Sequence, residues 1–453
     1  MAYRPAHRTL AGLSLLLCTA TAVGGVAAAE EARLDPLEQW PQWRGPLATG
    51  VAPRADPPIV WSESKNVRWK VELPGKGHST PIVWDDRIFL TSAIPHGERL
   101  PAPEPHDHGA HDNVAPSQKQ RFVVFALDRN DGSVLWQRTV RDEQPHEATH
   151  TTGTWASNSA LTDGEHVFAS FGSRGLFALD LAGKVIWEKD LGDMKTRHEH
   201  GEGSSPALHG DTLIVNWDHQ GDSFVVALDK RNGKERWRVA RDEITSWSTP
   251  LIVEHGGKPQ VVISATKRVR SYDLATGKVV WEAGGLSRNV VASPVAADGM
   301  VYAGNSYDWQ AMLAIRLDKA KGDITDTDAI VWKRDRDTPY VPSPVLYDDL
   351  LCFLKHSHGI LTCVEAKTGE ARLGPIRVEQ VRNVFASPVA ADDRLYITSR
   401  EGTTAVIQLG VQFEMLTVNQ LDDAFSASPA VVGDEILLRG EKYLYSLARD
   451  PAE

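Results

Sequence analysis

The chain has 453 residues, of which 42% are apolar, 24% charged and 8% aromatic, and these values are typical of globular proteins rather than of disordered or multi-pass membrane proteins. Its 60 acidic residues outnumber its 49 basic residues, and the net charge of −11 disfavours nucleic acid as a partner. Three cysteines are too few for a metal–thiolate cluster.

The N-terminal segment has the layout of a secretory signal peptide. A short basic start precedes an apolar or small stretch at residues 10–26, and alanines at 27–29 offer small residues for cleavage, so removal near Ala29 is predicted. The alternatives are a membrane anchor and a lipoprotein attached through Cys18. Leu17 disfavours the lipoprotein, because the residue before a lipid-bearing cysteine is normally small. No later run approaches the ~20 apolar residues of a membrane span. We therefore expect a periplasmic or secreted protein with no membrane span after signal cleavage.

A motif of a hydroxyl residue, a proline and apolar residues recurs eight times along the chain. One copy lacks the proline, and Ser159 is taken to stand in its place. The copies are 41–50 residues apart, except for one interval of 78 residues that contains a His- and Pro-rich insert at 95–120. The prolines are Pro81, Pro206, Pro250, Pro294, Pro344, Pro388 and Pro429. A period of this length predicts a repeat architecture.

A second motif contains an acidic residue, a glycine and a tryptophan. In the copy with Asp128, Gly132 and Trp136, the acid can bond nearby backbone amides to start a turn, and the glycine supplies a positive φ. The strand then resumes and places the tryptophan at a constant register. The recurring tryptophans are Trp136, Trp187, Trp237, Trp281 and, after an expanded turn, Trp332. Each repeat thus predicts about four short strands, and no segment shows a sustained helical period.

The two motifs together predict the fold class. We expect an all-β protein, an eight-bladed β-propeller of four-stranded antiparallel blades over residues 66–449, preceded by an extension at 30–65. The eighth repeat is short, because the chain nearly ends after Leu447. Without another strand its edge would be unpaired, and residues 66–71 match the tryptophan-bearing strand of the other repeats. This N-terminal strand is predicted to close the ring.

The second motif resembles the repeat of pyrroloquinoline-quinone-type β-propellers, as does the opening sequence Trp40-Pro41-Gln42-Trp43-Arg44-Gly45-Pro46. That family includes quinoprotein dehydrogenases and the propeller lipoprotein of the outer-membrane assembly machinery. The resemblance covers roughly residues 40–449. It implies that the five recurring tryptophans dock neighbouring blades, each burying ~150–250 Å². It is compatible with an enzyme and with a binding protein, because these repeats occur in both.

The residues just before each hydroxyl–proline motif are predicted to meet at the mouth of the central channel. The candidate ligand-binding residues are His78, Trp155, His200, Glu202, Trp247, Arg288, Asn289, Tyr340, Arg382 and Asn383. Arg288 and Arg382 would lie two blades apart, so the two guanidinium groups could bind one anionic group. The alternative is that these loops only close the ring and contact water.

The insert contains three closely spaced imidazoles, those of His106, His108 and His111, that could bind Zn²⁺, Cu²⁺ or Ni²⁺. The surrounding prolines favour a flexible loop that binds metal only adventitiously. The channel mouth, and not the insert, is therefore predicted to carry the binding function.

Cys352 and Cys363 are predicted to form a disulfide. They lie on the two strands of a hairpin around residues 356–359, equidistant from its centre, so the two side chains would face each other on one side of the sheet. The alternative is two reduced thiols in the core.

Two hypotheses of function remain. The favoured one is a secreted or periplasmic scaffold that binds a protein partner or a small ligand at the channel mouth. The alternative is an oxidoreductase that depends on pyrroloquinoline quinone and Ca²⁺, in which the quinone carries the chemistry. The sequence has no adjacent cysteine pair such as quinoprotein alcohol dehydrogenases carry, and no nucleophile elbow, P-loop or His-Glu-x-x-His helix. No catalytic residue and no firmly required cofactor are therefore assigned.

Overall fold

Sheets of antiparallel strands follow one another along the chain from Ile82 to Ala448. The computed structural model describes residues 34–107, 109–410 and 412–450, so the predicted signal peptide at 1–29 and His108 lie outside the described residues. Helix in this part of the chain is limited to three 3₁₀ turns, Pro36–Glu38, Gly172–Arg174 and Arg197–Glu199. No helix in the described part is long and apolar enough to cross a membrane.

Eight sheets, called blades 1–8 in chain order, make up the fold. Blade 1 consists of Ile82–Trp84, Arg87–His96, Lys119–Asp128 and Val134–Glu143. Blade 2 consists of Leu161–Thr162, His166–Ser170, Leu176–Asp180 and Val185–Lys189. Blade 3 consists of Ala207–His209, Thr212–Trp217, Phe224–Asp229 and Glu235–Ala240. Blade 4 consists of Leu251–His255, Lys258–Ile263, Val269–Asp273 and Val279–Ala283, with the short strand Gly322–Asp323 added in parallel at its outer edge.

The second half of the chain continues in the same order. Blade 5 consists of Val295–Ala297, Met300–Asn305, Ala311–Arg316 and Ile330–Arg334. Blade 6 consists of Val345–Tyr347, Leu350–Lys355, Ile360–Glu365 and Ala371–Arg377. Blade 7 consists of Val389–Ala391, Arg394–Thr398, Thr403–Gln408 and Glu414–Gln420. Blade 8 consists of Ala430–Val432, Glu435–Arg439, Tyr443–Ala448 and the N-terminal strand Val67–Glu72, which is antiparallel to Tyr443–Ala448.

The blades form a ring around a central channel. First strands of neighbouring blades contact each other, and the contact between Ile82–Trp84 of blade 1 and Ala430–Val432 of blade 8 closes the circle. Middle strands such as Thr212–Trp217 are buried along their whole length, because both faces of a blade pack against neighbouring blades. Outer strands such as Glu235–Ala240 are largely exposed. The predicted eight-bladed, all-β propeller is thus confirmed.

The recurring hydroxyl residue connects each blade to the next. In seven consecutive pairs, the backbone N–H of the residue before the proline donates to the hydroxyl of its counterpart in the following blade, at 2.9–3.0 Å. The chain of donors and acceptors is Thr80, Ser159, Ser205, Thr249, Ser293, Ser343, Ser387 and Ser428. Ser159 therefore matches the residue before the proline, and Ala160 holds the proline position. The sequence alignment of this copy was wrong by one residue, because it lacks the proline that marks the register.

The outer tryptophans join neighbouring blades through one repeated contact. Each indole Nε1–H donates at 2.8–2.9 Å to a carbonyl oxygen in the turn of the next blade, and the turn glycine lies against the ring. The pairs are Trp69 with Gly132, Trp136 with Gly183, Trp187 with Gly233, Trp237 with Gly277 and Trp332 with Gly369. A side chain on these glycines would collide with the ring, and their φ is positive.

Trp281 departs from this contact. Its indole donates to Gln260 of its own blade at 3.2 Å and is fully buried. The expanded turn of blade 5 adds the strand Gly322–Asp323 beside Trp281, so the turn covers the ring from the side instead of presenting a glycine.

Residues 40–52 lie against the first strands of several blades and close one end of the channel cavity. Within this segment the buried side chain of Arg44 donates to the carbonyl oxygens of Pro388 at 2.6 Å and Pro344 at 2.7 Å. The adjacent Trp43 lines the channel cavity. Residues 40–52 thus form the floor of the candidate binding site.

Candidate binding site at the channel mouth

A cavity of about 480 Å³ occupies the channel where the loops before the hydroxyl–proline motifs meet. We call it the mouth pocket. Histidines and large aromatic side chains form much of its wall, namely His78, His150, His200, His356, His358, Trp43, Trp247, Tyr340 and Phe385. Hydroxyl groups of the inter-blade hydrogen bonds, such as those of Ser205 and Ser387, line its inner part.

Six of the ten predicted ligand-binding residues line this pocket. They are His78, His200, Glu202, Trp247, Asn289 and Tyr340. The structure brings these side chains together because each one precedes, or lies close to, the first strand of its blade. They remain candidates for ligand contact.

The other four predicted residues lie outside the pocket wall. Trp155 donates its indole N–H to the carbonyl oxygen of Glu147 at 3.1 Å. Arg288 is exposed and forms a two-bonded ion pair with Asp308, at 2.5 and 2.7 Å. The remaining two are the exposed Arg382 and Asn383, the second of which is bonded to Glu401. The two arginines therefore do not converge on one anion-binding position in this pocket.

The pocket is close to electrically neutral. Burial lowers the pKa of His78, His150 and His356, and lowers the pKa of His200 to about 4, so these imidazoles are uncharged near pH 7. Burial also raises the pKa of Glu202, which accepts hydrogen bonds from Ser173. Within the described part of the chain, no lysine or arginine lines the pocket.

A row of aromatic rings leads from the pocket to its rim. The ring centres of His356 and Tyr340 are 5.2 Å apart, and those of Tyr340 and Tyr307 are 5.8 Å apart. Tyr307 is 39% exposed and Trp309, two residues further on, is 54% exposed. Sequence reasoning missed this row, because the hairpin carrying His356 and the loop carrying Tyr307 follow middle strands rather than precede the motif. An unusual aromatic pair, Tyr307 and Trp309, in a polar loop was the available signal.

The insert is folded against the mouth instead of standing apart from it. Its residues Asn113–Val114 pair with Thr149–His150 at the rim. The ring of His111 lies 4.8 Å from that of His198 and 5.1 Å from that of His200. The insert and the mouth therefore contact each other through these imidazoles, and the assignment of the binding function to the mouth rather than to the insert stays a prediction.

The three predicted metal-binding histidines do not form one group among the described residues. His106 lies near buried carboxylates, with its Nδ1 3.1 Å from Glu199, whereas His111 packs on other histidines. His108 lies outside the described residues.

Cys352 and Cys363 are joined by a disulfide between opposed positions of two strands in blade 6. Both residues are buried in the blade core and do not line the mouth pocket.

Eight four-stranded blades, docking tryptophans and a pocket at the channel mouth define a propeller of the pyrroloquinoline-quinone-type repeat. The chain belongs to the family whose model is described as outer membrane protein assembly factor BamB, which it matches over residues 51–221 and 221–449. A protein of that name from Shewanella oneidensis is 24% identical over 299 residues, covering 63% of this chain and 67% of the relative.

Enzymes with the same repeat are also similar to this chain. A 1-butanol dehydrogenase (quinone) from Thauera butanivorans is 28% identical over 215 residues, and the match covers 44% of this chain but only 33% of the dehydrogenase. The crystal structure of a quinohemoprotein alcohol dehydrogenase from Comamonas testosteroni superposes with a TM-score of 0.62 at 10% identity, over 92% of this chain and 81% of that one. This likeness concerns the fold.

The mouth pocket does not fit pyrroloquinoline quinone, the cofactor that the dehydrogenase relatives imply. The quinone is a planar anion, and such a ligand needs cationic partners when it is buried. The described pocket wall offers neutral imidazoles and the acid Glu202, while the exposed Arg288 is engaged by Asp308. No reaction step is therefore assigned to this pocket.

Proposed function

We propose that the chain is a protein-binding propeller outside the cytoplasm, and that its mouth pocket and aromatic rim hold an extended segment of a partner protein. Residues 1–29 are removed on export, the extension at 30–65 contributes residues 40–52 to the channel floor, and the ring at 66–449 presents the mouth. The observation that carries the proposal is the continuous path from a neutral pocket to an exposed aromatic rim.

Electrical neutrality and size favour a polypeptide over a small anion. A cavity of about 480 Å³ accommodates a few side chains of a partner. Its imidazole and hydroxyl groups can donate and accept hydrogen bonds with a peptide backbone without a charge requirement. Aromatic side chains such as Trp247 and Tyr340 provide the apolar area on which binding energy concentrates.

The rigidity of the mouth also supports recognition. Trp247 is held by two hydrogen bonds, from its indole to the carbonyl oxygen of Gly201 at 2.7 Å and from its backbone N–H to that of Val290 at 2.8 Å. Groups held in place before binding lose little entropy when a partner docks. Relatives named as outer membrane protein assembly factors are consistent with a protein partner in the cell envelope.

Affinity capture tests this function. The purified protein, its Trp247→Ala variant and an Ile186→Ala control on an exposed outer strand are each incubated with an envelope extract. We expect the wild type and the control to retain the same protein, and Trp247→Ala to lose it while its circular dichroism spectrum is unchanged. Retention by all three proteins, or dye reduction on adding pyrroloquinoline quinone and Ca²⁺, would contradict the proposal.

A further inference from the structure

Beside the mouth pocket lies a small buried cavity that imidazole and carboxylate groups surround. Its volume of about 20 Å³ is enough for one particle the size of a water molecule or a metal ion. Its wall includes His146 and Glu147, which follow blade 1, and Glu202, which precedes blade 3. One ligand atom from each of these three residues lies within 4.8 Å of the other two.

A second imidazole reaches this group from the insert. The Nδ1 atom of His106 lies 3.7 Å from Oε2 of Glu147 and 3.1 Å from Oε1 of Glu199. The other ring nitrogen of His106 lies 3.2 Å from the carbonyl oxygen of Thr196. A metal-binding histidine is commonly held in this way, with one nitrogen bonded to a backbone carbonyl and the other directed at the metal.

Among the described residues, no lysine or arginine forms an ion pair with the carboxyl groups of this cluster. The side chains of Glu147 and Glu199 are almost fully buried, and Glu202 lies next to them. The nearest guanidinium is that of Arg174, which also lines the cavity, but it is paired with Glu143 and Asp193. Carboxylates removed from water need a compensating positive charge.

We propose that this cavity binds one Zn²⁺ ion, with His146, Glu147 and Glu202 as ligands and His106 as the ligand that ties the insert to the mouth. Zinc bonds of about 2.0–2.2 Å to nitrogen and oxygen place neighbouring ligand atoms roughly 3.3 Å apart in a tetrahedron. The three cavity ligands lie within 4.8 Å of one another and His106 Nδ1 lies 3.7 Å from Glu147, so the four groups must draw together around the ion. Two imidazoles favour zinc over Ca²⁺ or Mg²⁺, which prefer oxygen ligands. The ion site shares Glu202 with the wall of the mouth pocket, but zinc binding does not require the proposed protein-binding function.

Calorimetric titration of the chelator-treated full chain with Zn²⁺ tests the site. We expect one ion per chain, a rise in melting temperature, and slower proteolysis within residues 97–118, because the ion fixes the insert. Glu147→Gln should weaken binding at least about 100-fold, and His106→Ala, at a side chain only 25% exposed, at least about 10-fold. The His106→Ala variant keeps the test decisive if Glu147→Gln does not fold.

Two control variants locate the bound ion. Asp163→Asn alters the other convergent group of the described residues, Asp163, Glu165 and His166, and should leave zinc binding unchanged. A double variant, His111→Ala with His198→Ala, removes the surface histidine contact and should also leave it unchanged. Binding that survives Glu147→Gln and His106→Ala, binding that is lost in either control, or no binding by the wild type would overturn the proposal.

Discussion

The backbone N–H of Ser205 donates a 3.0 Å hydrogen bond to the hydroxyl of Thr249 in the next blade. This bond is one of the seven inter-blade links, which explains why a hydroxyl residue recurs before the motif prolines. The junction between blades 8 and 1 is different. The hydroxyl of Thr80 has no hydrogen-bond partner among the described residues there, and Arg439 donates to the neighbouring Ser79 at 2.5 Å.

Because of this difference, the same threonine-to-valine substitution should lower the free energy of unfolding at one site and leave it nearly unchanged at the other. Thr249→Val leaves the N–H of Ser205 without its acceptor, and should lower the free energy of unfolding by about 1–3 kcal/mol. Thr80→Val removes an unbonded hydroxyl and should change it by less than about 0.5 kcal/mol. Urea denaturation followed by tryptophan fluorescence measures both. Equal losses in the two variants would refute the role assigned to the inter-blade bonds.

The contact between tryptophan and glycine predicts a second pair of outcomes. A Cβ added to Gly233 would lie 2.8 Å from the ring of Trp187, whereas one added to Gly210 would meet nothing within 4 Å. Both residues have a positive φ, so both alanine variants carry the backbone cost of about 1 kcal/mol. Gly233→Ala should lose at least another ~1–3 kcal/mol through the collision. Thermal unfolding that ranks the two variants equally would argue against docking by the ring.

The hydrogen bond between His78 and Glu441 at the pocket edge predicts that stability depends on pH in the acid range. The hydrogen bond from His78, at 3.1 Å, lowers the pKa of Glu441 from 4.5 to about 2. A carboxyl group with a depressed pKa stabilises the fold above its unfolded pKa, and this contribution is lost as the pH falls from about 4.5 towards 2. Glu441→Gln should remove on the order of 1–3 kcal/mol of this acid-dependent stability. Denaturation of both proteins between pH 2 and 6 provides the comparison, and identical pH profiles would count against it.

The disulfide predicts that denatured, unreduced protein lacking residues 1–29 has no titratable thiol. The bonded cysteines are separated by 11 positions, so the closed loop is short and contributes on the order of 2–3 kcal/mol. A paired substitution, Cys352→Ala with Cys363→Ala, should lower stability by that amount without affecting the mouth. Two thiols found before reduction would show that the cysteines are not joined.

The repeat motifs made the ring predictable, because proline, glycine and tryptophan each impose a local constraint that recurs at a constant interval. Trp69 could be placed on the N-terminal strand on the same basis. Trp281 could not be distinguished from the other tryptophans, since its contact depends on the expanded turn of the following blade.

The composition of the mouth was only half predictable. His200 and Trp247 could be assigned from their position before the motif, because the ring brings these positions together. Arg288 could not be excluded from the sequence, because its pairing with Asp308 depends on how the loop folds back. The docking of the insert depends on long-range contacts, such as that between His106 and Glu199, which no local pattern encodes.

Site-specific photo-crosslinking tests the protein-binding function most directly. A benzoylphenylalanine is placed at Tyr307 on the rim or, as a control, at Val134 on an exposed outer strand, and the protein is irradiated in intact cells. We expect a discrete protein adduct from position 307 that disappears in the Trp247→Ala background, and no such adduct from position 134. An adduct from position 134 alone, or one from position 307 that Trp247→Ala leaves unchanged, would contradict it.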